Sequence, residues 1–148
     1  MSQRILLVQN DALAAKAIVE ALLEALRQSS EASFRVEWVK RCAEGLEKLD
    51  GVEAILIDLY LPDSRGLVTF ESFFRAAPQI PILVLIDAPD EATARRAVQC
   101  GAQGYLFKTR LDAYLLTKAL GSMIERSVYS GAPSAAPRKR QLPDAASP

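Results

Sequence analysis

Short apolar runs that alternate with helical patterns constrain the fold of this chain more than any other feature of its sequence. Continuous apolar runs, interrupted only by Asp58, occur at residues 5–8, 54–59 and 82–86. Runs of this length, without a period of two, are typical of strands that are buried on both faces. Such strands occur in parallel sheets covered by helices on both sides, so the sequence predicts an α/β protein.

Two weaker strands and five helices complete the predicted pattern. Apolar and charged side chains alternate over residues 34–38, which predicts a strand with one solvent-facing side. A short strand is predicted at 105–107, and the Pro, Asp and Gly of residues 61–66 predict a loop. Helices are predicted at 13–26, 43–49, 67–76, 90–100 and 112–126, the fourth of them ended by Gly101.

The strand order follows from which strands are most apolar. The first, third and fourth strands should lie in the centre of the sheet, and the alternating second strand should lie at an edge. The flavodoxin-like order 2-1-3-4-5 satisfies both conditions, in a doubly wound, five-stranded parallel sheet with five helices. We predict one domain over residues 1–128, followed by a disordered tail or linker over 129–148 that is rich in Ala, Pro and Ser.

Composition excludes several classes of function. The chain has no histidine, which rules out histidine-based acid–base catalysis and histidine metal sites on this chain. Its 18 basic and 18 acidic side chains give no net charge, which argues against general binding to nucleic acid or to a membrane surface. Cys42 and Cys100 are predicted to be buried free thiols, which suits a reducing compartment, and a disulfide between them is the alternative. No apolar run is long enough to span a bilayer, and we expect a cytoplasmic protein.

Polar side chains collect at the predicted carboxyl ends of the strands, at the edge where open α/β sheets bind ligands. Asp58 directly follows a buried run, so its carboxylate needs a partner, for which Lys108 is the candidate. A salt bridge that only stabilises the fold is the plainer alternative to a functional site. The candidate residues at this edge are Gln9, Asn10, Asp11, Asp58, Tyr60, Ile86, Asp87 and Lys108.

The sequence resembles the response-regulator receiver domains, a CheY-like family whose members accept a phosphoryl group from a sensor histidine kinase on an aspartate. The resemblance covers about residues 4–127. It is carried by ILLV followed by a polar pair, by AILIDLYLPDSRGL, by PILVLI and by CGAQGYLFK. It implies a cytoplasmic module of a two-component phosphorelay, a phosphoprotein rather than an enzyme.

The resemblance implies a role for each of four residues. Asp58 matches the phospho-acceptor, and Lys108 matches the lysine that contacts the acceptor and the phosphoryl oxygens. Tyr60 lies two residues after the acceptor, where family members offer a backbone carbonyl to Mg²⁺. Tyr105 matches the aromatic side chain whose rotation reports activation.

Four positions depart from the family pattern. Gln9 and Asn10 replace the two acidic residues that hold the metal, and the next acid comes one residue later, where its side chain should point elsewhere. Ile86 replaces the Ser or Thr that binds the phosphoryl group, and Asp87 replaces a small residue. Because Mg²⁺ relies on carboxylate ligands and phosphoryl transfer relies on Mg²⁺, we expect weak or absent Mg²⁺ binding and impaired phosphorylation of Asp58.

Other functions stay open besides a receiver domain with impaired phosphorylation. A conventional phospho-accepting receiver that regulates an output domain is the main alternative. A small α/β enzyme or flavin binder is remote, because the sequence lacks GxxxxGK[ST], GxGxxG and a nucleophile elbow. A protein that acts directly on DNA would need a basic recognition helix, which this neutral chain does not show.

The expected partners are a sensor histidine kinase or other signalling proteins. In the family, the face formed by the fourth helix, the fifth strand and the fifth helix commonly binds partners and forms homodimers. An equal alternative is that the charged side chains of this face are only solvated and bind no partner. The tail resembles linkers that precede output domains, so a fragment of a larger regulator and a stand-alone protein both stay open. The residues of this face are Arg95, Arg96, Tyr105, Asp112 and Lys118.

Overall fold

Five parallel strands form the central sheet, in the order that the sequence predicts. The structure is a computed structural model that describes residues 2–28, 33–111, 114–116 and 118–121. The strand order β2-β1-β3-β4-β5 confirms the flavodoxin-like prediction and makes the alternating strand an edge. The strands are β1 (Ser2–Val8), β2 (Ser33–Val39), β3 (Ala54–Asp58), β4 (Ile82–Ile86) and β5 (Gly104–Phe107).

The helices lie close to their predicted positions. The third predicted helix is confirmed at both ends, and the fourth begins one residue late because the chain first makes a 3₁₀ turn over Ala88–Asp90. The second is shorter than the predicted 43–49 and ends before the turn at Gly51, whose φ is 79°. The helices are α1 (Ala12–Gln28), α2 (Cys42–Leu46), α3 (Leu67–Ala76), α4 (Glu91–Gln99) and α5, helical at 114–116 and 118–121.

Several sequence predictions lie outside the described residues. These are the end of the fifth helix, the contribution of Asp112 to the proposed partner face, the domain boundary at residue 128 and the tail over 129–148. None of the helices within the described ranges is long and apolar enough to cross a membrane.

The core consists of two apolar layers, one on each face of the sheet. Alternate residues of β1 face opposite layers, so that Leu6 and Val8 pack with α2, α3 and α4, while Ile5 and Leu7 pack with α1 and α5. All four of these side chains are fully buried. Burial on both faces explains why the central strands are apolar at every position and not at every second one. It also leaves the carboxyl ends of the strands as the place where polar side chains reach solvent.

A glycine brings α3 and α4 together on one face of this sheet. Gly101 follows α4 with a φ of 129°, a backbone conformation that other residues rarely adopt. A Cβ atom at this position would come within 2.8 Å of the ring of Phe74, which is part of α3. Gly101 therefore ends α4, as predicted from the sequence, and also allows the two helices to pack closely.

The predicted loop at 61–66 is a tight hairpin beside the end of β3. Its two short antiparallel strands, Tyr60–Leu61 and Ser64–Arg65, place Tyr60 opposite Arg65. At its tip, both carboxylate oxygens of Asp63 accept backbone N–H groups of α2, at 2.8 Å from Cys42 N and 3.0 Å from Ala43 N. These hydrogen bonds lower the pKa of Asp63. Asp63 thus caps a helix through a long-range contact and fixes the hairpin that carries Tyr60.

The prediction of two buried thiols is wrong for one of them. Cys42 is buried on the inner side of α2, but Cys100 is exposed, because it is the residue at which α4 ends and its helical position faces solvent. Burial raises the pKa of the Cys42 thiol, and the charge of Asp63 raises it further.

These environments predict unequal reactivity towards a thiol reagent such as Ellman's reagent. In the native protein we expect one fast-reacting thiol, Cys100, and a Cys42 that reacts at least about tenfold more slowly, because its thiolate is disfavoured and shielded. The measurement is the time course of thiolate release with and without denaturant. A Cys100→Ser variant should lose the fast phase, and two fast thiols in the native wild-type protein would contradict the burial of Cys42.

Candidate functional site

The carboxyl edge of the sheet brings most of the predicted site residues into one pocket. In the sheet, Val8 pairs with Ile57, Asp58 with Leu85 and Ile86 with Phe107, so the residues that follow these strands are neighbours. The pocket is open to solvent and has a volume of about 350 Å³. It is lined by Gln9, Asn10, Asp11, Asp58, Tyr60, Arg65, Asp87, Asp90 and Lys108. Seven of the eight residues predicted at this edge line it, and Ile86 does not.

Lys108 lies between two carboxylates at the centre of this pocket. Its Nζ is 2.7 Å from Oδ2 of Asp58 and 3.3 Å from Oδ2 of Asp87. The side chain of Asp58 is 5% exposed and that of Lys108 is 16% exposed, whereas that of Asp87 is 52% exposed. The contact with the buried carboxylate is therefore stronger than the outer one, which water screens.

Both oxygens of the Asp58 carboxylate have partners. Oδ2 accepts a hydrogen bond from Lys108, and Oδ1 accepts one from the backbone N–H of Tyr60 at 2.8 Å. Burial lowers the pKa of Lys108, but the hydrogen bond and the charge of Asp58, followed by those of Asp87, outweigh burial and raise it above 10.5. Lys108 is therefore a cation throughout the physiological pH range, and the buried carboxylate keeps its counterion.

Of the two residues that replace the acidic pair, Gln9 is engaged by the protein's own backbone. Gln9 is 1% exposed, and its Oε1 accepts the backbone N–H of Asp11 at 3.0 Å, while its buried Nε2 has no partner among the described residues. Asn10 is exposed. We expected the side chain of Asp11 to point elsewhere; Asp11 borders the pocket, but its Oδ1 accepts the backbone N–H of Leu13 at the start of α1.

This arrangement does not fit a Mg²⁺ ion. Mg²⁺ requires several oxygen ligands in a near-octahedral arrangement, at least some of them charged. Within the described part of the chain, no three acidic, histidine or cysteine side chains lie close enough together to hold a metal ion. The oxygen of Gln9 is engaged by a backbone N–H, and its other amide group is a donor, which repels a cation.

Ile86 and Tyr105 lie beside the pocket and not in it. Ile86 is 1% exposed and packs in the layer of α3 and α4, where it offers no hydrogen bond. Tyr105 is half-buried, and its hydroxyl donates to Oε2 of Glu91, the first residue of α4, at 2.5 Å. This hydrogen bond and the charge of Arg95 lower the pKa of Glu91.

Four further contacts of the pocket were missed in the sequence. Arg65 lines the pocket and stacks on the ring of Tyr60 at 5.9 Å, because the hairpin pairs the two residues. Asp90 lines the pocket from the 3₁₀ turn before α4. The indole N–H of Trp38 donates to the backbone carbonyl of Gln9 at 2.6 Å. The hydroxyl of Tyr60 lies 3.4 Å from that of Thr93. The alternation of β2 was the only local signal for any of them: it predicted Trp38 on the face opposite the charged Arg35 and Glu37, but not its hydrogen bond to Gln9.

Comparisons with known proteins agree with this geometry. The sequence profile of the family described as "Response regulator receiver domain" matches residues 5–120. The swarming motility regulation protein RssB of Serratia marcescens is 32% identical over 106 residues, which is 70% of this chain and 45% of that protein. The glycerol metabolism activator of Pseudomonas putida is 28% identical over 80 residues, 54% of this chain and 36% of that protein. The chain thus spans less than half the length of the curated relatives that it matches.

Solved structures show the same fold. A receiver domain protein of Clostridium thermocellum superposes with a TM-score of 0.73 at 21% identity, covering 86% of this chain and 98% of that one. NtrX of Brucella abortus superposes with a TM-score of 0.72 at 18% identity, covering 89% of this chain but 29% of NtrX. The profile match covers more than half of this chain and includes Asp58 and Lys108. The chain therefore belongs to the response regulator receiver domain family, the receiver modules of two-component signalling systems.

Proposed function

We propose that this receiver domain signals by contact with another protein and that phosphorylation of Asp58 is impaired. The observation that carries the proposal is the position of Lys108 between Asp58 and Asp87, at 2.7 Å and 3.3 Å. A phosphoryl group is an anion, and its transfer depends on positive charge around the transferred group. In this pocket the lysine is already neutralised, and the second carboxylate repels a further anion.

The metal side of the pocket supports the same proposal. Receiver domains typically use Mg²⁺ at the phosphorylation site, where the metal neutralises the charge of the phosphoryl group. Here Gln9 and Asn10 contribute no charge, and Oδ1 of Asp58 already accepts a backbone N–H from Tyr60. We propose that Mg²⁺ binds weakly or not at all, and that Tyr60 serves to fix Asp58 rather than to ligate a metal.

A conventional phospho-accepting receiver is the second candidate. It is favoured by the short contact between Asp58 and Lys108, the two residues that the family uses for the acceptor and its lysine, and by the open pocket beside them. Asp87 is exposed, so a strong phosphoryl donor needs only to displace a screened ion pair. The two candidates differ in whether the wild-type site responds to a phosphoryl mimic.

The partners of this chain are also part of the proposal. Receiver domains interact with histidine kinases and output domains, and we propose a sensor histidine kinase, another signalling protein or an output domain C-terminal to the predicted linker as the partner here. The proposed contact face combines α4, β5 and α5, where Arg95, Arg96 and Lys118 are exposed, and it would also serve a homodimer. We propose no catalytic activity of the chain itself, and a cytoplasmic location, which the two free thiols favour.

Amide NMR spectra of the labelled domain test the function directly. We expect the resonances of Asp58, Lys108 and Tyr105 to stay unchanged when Mg²⁺ and then beryllofluoride, a phosphoryl mimic, are added at millimolar concentration. The reason is that no carboxylate pair holds the metal and that Lys108 is occupied. An Asp58→Asn variant is the control for non-specific effects. Saturable shifts that the wild-type protein shows and this variant lacks would establish the conventional receiver instead.

A further inference from the structure

Two polar contacts join residues near the start of α4 to β5 and to the turn directly after β5. Asp87, directly after β4, is 3.3 Å from Lys108, and Glu91, the first residue of α4, accepts the hydroxyl of Tyr105 at 2.5 Å. Between these contacts lies the three-residue 3₁₀ turn Ala88–Asp90. The start of α4 is therefore held at two points that are four residues apart, one through Tyr105 of β5 and one through Lys108 directly after β5.

The connection between Asp87 and α4 is short and stiff. The backbone N–H of Asp90 donates to the carbonyl of Asp87 at 2.9 Å, and α4 begins at the next residue. On the other side, Ile86 is buried in the sheet, so the chain is anchored up to the residue before Asp87. A change in the position of Asp87 therefore has to be taken up by the turn and by the first residues of α4.

Asp87 also covers Lys108 on its solvent side. Asp58 approaches the ammonium group from the buried side, with 5% of its side chain exposed, whereas Asp87 approaches it with half of its side chain exposed. An anion that enters the pocket from solvent competes with Asp87 for Lys108. A lysine ammonium group has three donors, so it can hold both carboxylates at the same time.

We propose that Asp87 is an autoinhibitory latch. Its carboxylate pairs with the ammonium group of Lys108 and thereby holds the start of α4 in place when no phosphoryl group is present. The inference deepens the proposed function, on which it rests, by naming the regulation of the same site. The Asp87–Lys108 contact and the Glu91–Tyr105 contact act together, because both join the start of α4 to β5 and its following turn. An anion or a partner that removes Asp87 from Lys108 releases this end of α4, and the face that contains α4 changes with it.

Two isosteric, charge-matched variants test the latch. Asp87→Asn removes the ion pair with Lys108, and Glu53→Gln removes the same charge from an exposed side chain directly before β3, at the opposite edge of the sheet. We expect the amides of α4 to exchange hydrogen roughly twofold to fivefold faster in the first variant, the factor that a partly exposed ion pair supplies. The amide resonance of Tyr105 should shift in the same variant. In Glu53→Gln both quantities should stay at the wild-type values.

A double variant tests whether the two contacts are energetically coupled. In a Tyr105→Phe background, which lacks the hydroxyl that binds Glu91, the further effect of Asp87→Asn on α4 exchange should differ clearly from its effect in the wild-type background. Additive effects would show that the contacts are independent and would overturn the coupled latch. Equal exchange of α4 in Asp87→Asn, Glu53→Gln and the wild-type protein would overturn the latch itself.

Failure of the latch and failure of the proposed function give different results. The exchange experiment uses neither Mg²⁺ nor a phosphoryl mimic. If beryllofluoride shifts the wild-type site but Asp87→Asn still loosens α4, the impaired-phosphorylation proposal fails and the latch stands. If the wild-type site ignores beryllofluoride and Asp87→Asn leaves α4 unchanged, the latch fails and the proposed function stands.

Discussion

Replacement of both Gln9 and Asn10 by aspartate is expected to raise the Mg²⁺ affinity of this domain by about a hundredfold or more. The pocket already offers the carboxylate of Asp58, but the two neighbouring side chains carry no charge. Each added carboxylate attracts a divalent cation, and even a strongly screened interaction of about 1.4 kcal/mol is a factor of ten. The two substitutions together therefore restore the charge that the family pattern has and this chain lacks.

Trp38 is a natural probe for this experiment. It is the single tryptophan of the chain, and its indole N–H donates to the backbone carbonyl of Gln9 at 2.6 Å. A Mg²⁺ titration followed by tryptophan fluorescence should show weak or no response in the wild-type protein and saturation in the Gln9→Asp/Asn10→Asp variant. Addition of Asp58→Asn to that variant should abolish most of the gain. If the acidic pair alone left the affinity unchanged, the loss of charge would not be what prevents metal binding.

Lys108→Met is expected to destabilise the domain by about 2–3 kcal/mol at neutral pH. The substitution leaves the carboxylate of Asp58 buried with a single hydrogen bond, from the backbone N–H of Tyr60, and without a counterion. Removal of one partner of a buried ion pair is costly because the remaining charge has lost both water and its counterion. The expected loss is smaller than the loss of about 3–5 kcal/mol that is usual for a fully buried pair, because Lys108 is still partly exposed. Denaturant unfolding at constant pH measures the difference.

A second variant separates lost packing from uncompensated charge. The double variant Asp58→Asn/Lys108→Met leaves no buried charge at the positions of this ion pair. It should therefore recover at least half of the stability that Lys108→Met loses. If the two variants were equally unstable, the cost would lie in the packing of the lysine side chain and not in the charge of Asp58.

The stability difference between the wild-type protein and Lys108→Met depends on pH with a definite sign. Because the pKa of Lys108 is raised on folding, its stabilising effect is complete below the ordinary lysine value of 10.5 and is lost as the pH rises through the higher folded-state pKa. The stability difference between the wild-type protein and Lys108→Met should therefore hold across neutral pH and narrow only in strongly alkaline solution. A difference that disappears already near neutral pH would show that Lys108 is not the cation described here.

The agreement between predicted and observed fold has a simple physical origin. A strand buried on both faces must be apolar at every position, so the runs at 54–59 and 82–86 identify central strands without any knowledge of their neighbours. The alternating residues of β2 identify an edge strand for the same reason. The end of one strand differs from the prediction: the strand predicted over 54–59 ends at Asp58, where the chain leaves the sheet to form the hairpin.

Most members of the candidate site were predictable from the sequence, whereas most of its contacts were not. Parallel strands place their carboxyl ends at one edge, so the proximity of Asp58 and Lys108 follows from the strand order alone. Asp87 was predicted at the same edge, and the structure places its carboxylate 3.3 Å from Lys108. Arg65 was not expected, because only the register of the hairpin places it on the ring of Tyr60.

By itself, therefore, the sequence determined the α/β architecture, the strand order and the edge at which the polar residues meet. These features depend on the period of burial, which is encoded locally in each segment. Only the tertiary structure decided which atoms are engaged: Gln9 with the backbone of Asp11, Asp63 with the start of α2, and Cys100 with solvent. Hydrogen bonds act over about 3 Å, and their partners are set by loops and rotamers that long-range packing fixes, so a local pattern cannot contain them.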